Sequence, residues 1–279
     1  MTVDTAPSGS SFHAARRSKF ARQLLMGVTV TAIYAFLLTP ILIIILSSFN
    51  TTSANTFPTD GVSLQWYREF LESPSFISAF QFSAWLGIVA AVGATIIGFL
   101  TAYGIVRYMG SYREVAQSIA MLPIMVPHIL ISISLLILLT VVPIPELAGL
   151  IIGHIIICLP FTVAGILASL DGVDPQLERA AWTLGASRMR ILWEIVIPLI
   201  APGLFSSLIF AFIISFGDVY IALFLSGPGM TALPIEIFSY MQWESTPVIA
   251  AITTVQIIMI FGLGLIIERM VGLRQIMRI

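Results

Sequence analysis

The last third of the chain holds the side chains that are best suited to binding a small cation. Asp218 supplies a carboxylate, and Ser215 supplies a hydroxyl three residues before it. Tyr220 and Trp243 supply aromatic faces, which attract cations through the ring quadrupole. The alternatives are a solvated acid and aromatic anchors at a membrane interface. The residue types alone leave both interpretations open.

Histidine and cysteine offer little further chemistry. His128 follows Pro127 and is expected to be a hydrogen-bonding pore residue. His154 and the single cysteine, Cys158, lie in an apolar run, which favours packing for the histidine. The histidines are too far apart in sequence for a metal motif, and the chain contains no G-x-x-x-x-G-K-[ST] sequence for ATP. We expect no catalytic residue, metal or cofactor in this chain.

The elements that position these residues are membrane helices. The chain is 58% hydrophobic and 10% charged, with a mean hydropathy of +1.02, whereas soluble domains carry about a quarter charged residues. A bilayer span needs about 20 apolar residues. Six stretches qualify, so the fold class is an all-α integral membrane protein: Leu24–Leu46, Phe80–Val106, Ala116–Val142, Leu147–Leu170, Ile195–Phe216 and Val248–Ile267. Prolines predict a kink in the third stretch and a bent or looped entry to the fifth.

Cations set the orientation, because cytoplasmic connections are enriched in Lys and Arg. With both termini inside, the outer connections hold only Arg68. The inner segments hold the rest: Arg16, Arg17, Lys19, Arg22, Arg107, Arg113, Arg179, Arg188, Arg190, Arg269, Arg274 and Arg278. The sequence therefore predicts a cytoplasmic N-terminal tail over residues 1–23, six spans and a cytoplasmic C-terminus.

Three further patterns concern elements outside or along the spans. Leu64–Glu72 predicts a short surface helix, with Trp66 suited to the interface. The apolar stretch 217–247 is broken by Gly and Pro and predicts a short re-entrant or interfacial element. Small residues recur every four positions in the second span, which indicates close helix packing either within the subunit or with a second one. These are Ala90, Ala94, Gly98 and Ala102.

The inner segment between the fourth and fifth spans has the signals of a short surface helix. Asp174 is a typical N-cap, Pro175 fits a first turn, and Gly185 is a natural stop. Leu177, Ala181 and Leu184 are predicted to share one face, while Glu178 and Arg190 remain available to water or a partner. A second short amphipathic helix is expected before Pro198. Such a helix can insert into a groove on another protein.

This segment resembles the EAA loop of permease subunits in binding-protein-dependent ABC importers. The matching residues are Ala180, Ala181, Leu184, Gly185, Ala186, Ser187, Pro198, Pro202 and Gly203. The resemblance implies a type I importer permease domain over residues 24–279 of a multi-pass protein of the bacterial inner membrane. It implies that residues 178–186 form the coupling helix that docks into a cytoplasmic ATPase.

The resemblance also implies the partners. They are a second homologous permease, two ATPase subunits that bind ATP and Mg, and a periplasmic or lipid-anchored substrate-binding protein. Nucleic acid is not expected. One departure concerns the docking surface: Arg179 stands where the family has glutamate, and Glu178 is one place earlier. Adjacent helix positions point about 100° apart, so Glu178 does not replace it without rotation.

Looser motifs resemble the second, C-type permease of spermidine/putrescine importers. They are Ser47–Asn50, Trp66–Tyr67, Ser215–Gly229 and Leu233–Tyr240. Two acids expected in polyamine members are replaced by Gly217 and His128, so an opine, an aminophosphonate or ferric iron remains an alternative cargo. An ion-coupled secondary transporter and an intramembrane protease are more remote alternatives. No internal repeat and no paired nucleophile support them, and neither explains the EAA loop.

Overall fold

The computed structural model describes residues 9–53, 61–244 and 246–276, and side chains within 22–53, 61–244 and 246–269. All regular structure in these ranges is helical, with no strand. The α-helices are α1 Gly9–Ser47, α2 Gln65–Glu72, α3 Pro74–Tyr108, α4 Arg113–Met125, α5 His128–Val141, α6 Glu146–Asp171, α7 Pro175–Thr183, α8 Arg188–Ile191, α9 Ile197–Phe216, α10 Tyr220–Leu225, α11 Leu233–Trp243 and α12 Val248–Ile276.

Five helices are long and apolar enough to cross a membrane. They are Arg22–Ser47, Pro74–Tyr108, Glu146–Asp171, Arg188–Phe216 and Val248–Arg269. A sixth span is formed only if α4 and α5 are counted as one broken span, since they bend by 91°. The all-helical prediction is therefore confirmed, with five to six spans.

The predicted third span, Ala116–Val142, is not one helix. The predicted break occurs at Pro127, because a residue before proline is pushed to extended backbone, and Val126 has ψ of 125°. Pro123 lies inside α4 and does not end it.

The fifth span differs from its prediction because it does not begin in a loop at Pro198. A turn of π-helix, Leu192–Val196, joins α8 to α9, so helix continues from Arg188 to Phe216. Pro198 is the second residue of α9 and closely follows the π turn, so the change in hydrogen-bonding pattern coincides with the residue that lacks an N–H. The expected second short helix is α8, with four residues.

Helix α1 begins at Gly9, so helical backbone covers much of the predicted tail 1–23. Residues 1–8 lie outside the described residues, as does Arg278 of the predicted inner cations. The side chains of Arg16, Arg17, Lys19 and Arg274 also lie outside them.

The chain divides into two compact units. In the described parts of Met1–Trp66 and Thr246–Thr254, the Trp66 indole N–H donates to the Asn50 carbonyl at 2.7 Å. Trp66 is buried, so its predicted place at the interface is wrong. The aromatic ring is held by a backbone acceptor and leaves little surface for lipid. The predicted surface helix itself is present as α2.

The second unit, in Tyr67–Ser245 and Val255–Ile279, is built around α3, α6 and α9. The small-residue face of α3 is buried, and a Cβ added at Gly98 would overlap the Thr162 side chain of α6. The Thr162 hydroxyl donates to the Ala94 carbonyl at 3.0 Å. Of the two alternatives left by the sequence, the small residues serve packing within the subunit.

Candidate functional site

The loop helix α7 begins and ends where the sequence predicts. The Asp174 side chain accepts a hydrogen bond from the Gln176 N–H at 2.9 Å, as an N-cap does. Gly185 ends the helix with φ of +85°, a conformation that costs glycine little. The Ala186 N–H then donates to the Ala181 carbonyl at 3.1 Å. Local capping chemistry therefore fixes the position of this helix in the loop.

Glu178 is largely shielded from water by partners within the chain, whereas the sequence left it available to water or a partner. Its carboxylate lies 2.7 Å from the Arg107 guanidinium at the end of α3, and the Tyr103 hydroxyl donates to it at 3.1 Å. Both charged side chains are about 85% buried, at 13% and 15% exposure. The loop helix is thus fastened to the C-terminal end of α3 by a charged pair largely shielded from solvent.

Arg190 also has a partner, because its Nε lies 3.2 Å from the Glu194 carboxylate one turn later. The prediction that Arg190 stays available was therefore incomplete, although the pair is mostly exposed. A second ion pair joins Arg113 of α4 to Asp171 at the end of α6, at 2.6 Å. Pairs of this exposed kind contribute little to stability.

The remaining residues of the predicted coupling segment separate into an inner and an outer face. Ala181 and Ala186 pack against the buried apolar cluster around Ile166 and Leu170. Leu177 and Leu184 do not share that face, because both are exposed, Leu184 to 88%. The exposed residues between Leu177 and Ala186 form the outer surface of the loop: Leu177, Arg179, Ala180, Trp182, Thr183, Leu184 and Gly185.

Asp218 lies in the turn between α9 and α10, and its carboxylate is engaged within the protein. One oxygen accepts the Ile221 N–H at 2.7 Å, which caps the start of α10. The other lies 3.2 Å from Nδ1 of His128 at the start of α5. The side chain is only 3% exposed, so the two predicted pathway residues Asp218 and His128 are brought into contact with each other.

Ser215, Tyr220 and Trp243 are not part of this contact. The Ser215 hydroxyl is buried and lies 2.8 Å from Nδ1 of His154. The predicted burial of His154 is confirmed at 1% exposure, although its Nε2 has no hydrogen-bond partner among the described residues. Tyr220 and Trp243 are exposed, Trp243 to 87%. The predicted pathway residues therefore comprise a buried pair, Ser215 with His154, a partly buried pair, Asp218 with His128, and two accessible aromatic rings.

No group of three or more metal-ligating side chains occurs among the described residues. Cys158 is buried, and its thiol donates to the Ala211 carbonyl at 3.2 Å, as a packed core cysteine does. Sequence reasoning missed Tyr103 and Arg107 as parts of the loop site. The available signal was their i, i+4 spacing at the C-terminal end of α3, which places both on one helix face.

Comparison with known proteins identifies the family of this chain. Residues 94–274, which include the α7 loop and Asp218, match the family of binding-protein-dependent transport system inner membrane components. The chain belongs to this family. The family's members are transport components rather than enzymes.

Characterised relatives of this permease cover most of its length. It is 33% identical over 238 residues to the spermidine/putrescine transport system permease protein PotC of Escherichia coli K12, covering 85% of this chain and 90% of the relative. It is 31% identical over 230 residues to the putrescine transport system permease protein PotI of the same organism, covering 79% and 81%.

Solved structures agree on the fold. A crystal structure of a bacterial ABC transporter that imports the acidic polysaccharide alginate matches the permease with a TM-score of 0.69 at 17% identity, over 92% of this chain and 99% of the other. The same alginate transporter in complex with a pentasaccharide-bound periplasmic protein matches with a TM-score of 0.68 at 16% identity, over 93% and 96%. The architecture is therefore that of an ABC importer permease.

Proposed function

We propose that this chain is one of two membrane-spanning subunits of an ATP-driven importer in the bacterial inner membrane, and that it carries polyamines. The observation that carries the proposal is its similarity to two polyamine permeases over about four-fifths of its length or more. In this proposal α4 and α5 count as one span, both termini are cytoplasmic, and α7 is the coupling helix.

The placement of charge supports the orientation. Arg107, Arg113 and the arginines of the α7–α8 loop all lie at one end of the helices in the proposed topology, where cytoplasmic connections collect cations. Arg107 and Arg113 also pair with Glu178 and Asp171 of the neighbouring inner segment.

The proposed partners follow from the family. A second homologous permease completes the pathway, two cytoplasmic ATPase subunits bind ATP and Mg, and a periplasmic or lipid-anchored protein delivers the cargo. In this scheme ATP binding brings the ATPase subunits together and moves α7. The Glu178–Arg107 pair then passes that movement to α3, whose small-residue face packs on α6.

The pathway residues are assigned different tasks. Tyr220 and Trp243 are exposed and offer aromatic faces to an organic cation. Asp218 and His128 hold the start of α10 against α5, and Ser215 with His154 ties α9 to α6. In this proposal the cargo passes beside the Asp218–His128 and Ser215–His154 contacts.

The contact between Asp218 and His128 favours a second candidate cargo. Because Asp218 is engaged by His128 and Ile221, its charge is poorly exposed to a dication. A zwitterionic opine or aminophosphonate needs less negative charge, and ferric iron is a further alternative.

The test is ATPase activity of the complex purified after co-expression with its neighbouring operon products. Binding protein loaded with putrescine, spermidine, an opine, aminoethylphosphonate or ferric iron is added in turn. Stimulation by putrescine or spermidine is expected. Stimulation by another cargo alone would replace the polyamine assignment, and absence of any ATPase in the preparation would contradict the importer assignment.

A further inference from the structure

A cavity of about 260 Å³ opens between the C-terminal end of α3 and the α7–α8 loop. Its wall includes Tyr108 of α3, Arg179 and Trp182 of α7, and Arg188 of α8. These four side chains are exposed, so the cavity is accessible from the proposed cytoplasmic side. A cavity of this size admits one side chain of a docking protein.

The charges in the cavity wall are unbalanced. Three guanidinium groups line it, from Arg107, Arg179 and Arg188, against the single carboxylate of Glu178. Arg107 already neutralises Glu178 at 2.7 Å. Within the part of the chain whose side chains are described, Arg179 and Arg188 form no ion pair with an acid. Two positive charges therefore face the cavity without compensation.

One of the two arginines, Arg188, is already oriented by a neighbouring ring. The Arg188 guanidinium lies 6.0 Å from the centre of the Trp182 ring, within the range of a cation–π contact. Ser187 caps the first turn of α8, with its hydroxyl 3.3 Å from the Arg190 N–H. A guanidinium group binds a carboxylate through two parallel hydrogen bonds, so a positioned arginine is suited to an acidic side chain.

We propose that this cavity receives an Asp or Glu side chain of the cytoplasmic ATPase, bound by Arg179 and Arg188. The inference rests on the proposed function, because it assumes that the α7–α8 loop docks on that partner. It assigns the loop a cationic recognition surface, opposite in sign to the glutamate of the family pattern that Arg179 replaces.

A protein partner fits the surroundings better than a lipid phosphate. The α7–α8 loop that lines the cavity also carries the exposed apolar side chains of Leu184 and Met189, at 88% and 62% exposure. A groove on a folded partner covers such side chains and removes their apolar surface from water. The partner's docking surface is therefore a groove with apolar walls, and it carries a carboxylate that can enter the cavity.

The test uses the chain co-expressed with its operon ATPase and purified through a tag on the chain. Arg179→Glu and Arg188→Glu are expected to lower the retained ATPase by about tenfold or more, because each places a like charge against the partner's acid. Arg190→Glu is the matched control, since Arg190 lies on the same loop, pairs with Glu194 and does not line the cavity. It is expected to retain ATPase within about twofold of the wild-type chain.

A charge-swap experiment makes the test specific. Replacing the acids of the ATPase groove by arginine, one at a time, is expected to restore binding of Arg179→Glu at one position. Equal retention by Arg179→Glu, Arg188→Glu and the wild-type chain would overturn the inference. So would a loss that appears only in nanodiscs containing anionic lipid and not in phosphatidylcholine nanodiscs. A wild-type chain that retains no ATPase would contradict the proposed function instead.

Discussion

The Arg107 guanidinium lies 2.7 Å from the Glu178 carboxylate and joins the C-terminal end of α3 to the loop helix α7. The Tyr103 hydroxyl completes the contact at 3.1 Å. Arg107 and Glu178 are 71 residues apart in sequence. Their pair is therefore a long-range polar contact between the loop and a long apolar helix.

Glu178→Gln is expected to weaken the contact between α3 and α7 while leaving the α7–α8 loop in place. Removing one charge from a shielded pair leaves the other uncompensated, at a cost of about 3 kcal/mol, less the screening by water that reaches the pair. Retained ATPase should change little, whereas cargo-stimulated hydrolysis should fall several-fold. Arg113→Ala is the control, because its pair with Asp171 is far more exposed. Equal losses in the two variants would show that the Glu178 pair transmits nothing.

Gly185→Ala is expected to distort the end of α7. Gly185 has φ of +85°, and an L residue there costs about 1–2 kcal/mol. Uptake should fall several-fold while the protein still inserts in the membrane. Gly172→Ala is the matched control, because Gly172 has no positive φ and its added Cβ makes only an ordinary 3.5 Å contact with the Ser169 carbonyl. Normal uptake by Gly185→Ala would contradict a role for this turn in docking.

Asp218→Asn and Asp218→Ala separate capping from cargo binding. Asparagine keeps an oxygen for the Ile221 N–H, so assembly and uptake at saturating cargo should stay within about twofold of wild type. Alanine removes the cap and the His128 contact, at a cost of about 1 kcal/mol for the cap alone, so less complex should assemble. An assembled Asp218→Asn complex without uptake would show instead that the carboxylate acts on the cargo.

Gly98→Ala is expected to destabilise the packing of α3 on α6. The added Cβ would overlap Thr162, and overpacking of this kind costs about 1–3 kcal/mol. The thermal midpoint in detergent should fall. Gly104→Ala on the same helix meets nothing within 4 Å, so the same substitution should leave the midpoint unchanged or raise it through helix propensity. Equal midpoints for the two variants would contradict close packing at Gly98.

Glu69 predicts a pH dependence on the proposed outer side. Desolvation raises the pKa of the Glu69 carboxyl, and the Glu244 carboxylate raises it further. A raised folded-state pKa favours the folded protein below the ordinary pKa of Glu, and this contribution is lost as pH rises through the raised value. Glu69→Gln should therefore raise the thermal midpoint of unfolding at pH 7 and leave it unchanged near pH 4. Glu72→Gln is the control and should not show this difference between the two pH values. A gain of equal size at both pH values would contradict the repulsion.

The parts of the fold that local chemistry determines were predictable from sequence. Asp174 and Gly185 bound α7 because an N-cap and a left-handed turn each depend on a few adjacent residues. The broken third span was also indicated, since Pro127 acts on its neighbour. Hydropathy found the spans for the same reason, because it needs only composition over about 20 residues.

The candidate site needed contacts that sequence separation hides. Glu178 was expected to be available to water or a partner, and its burial depends on Arg107 from a distant helix. Asp218 was expected to offer its charge to a cargo, and its partner His128 lies 90 residues away. Residue type identified these side chains as polar and important, but only the packing of α3, α5 and α10 decides which partner each one meets.

The π-helical turn at Leu192–Val196 has a geometric consequence. A π turn holds one residue more than an α turn, and each helical residue corresponds to a rotation of about 100°. The extra residue therefore sets α8 about 100° round the helix axis from where an uninterrupted α-helix would place it, while every residue from Arg188 to Phe216 stays helical. The direction in which the arginines of α8 project from the long span thus depends on this one turn.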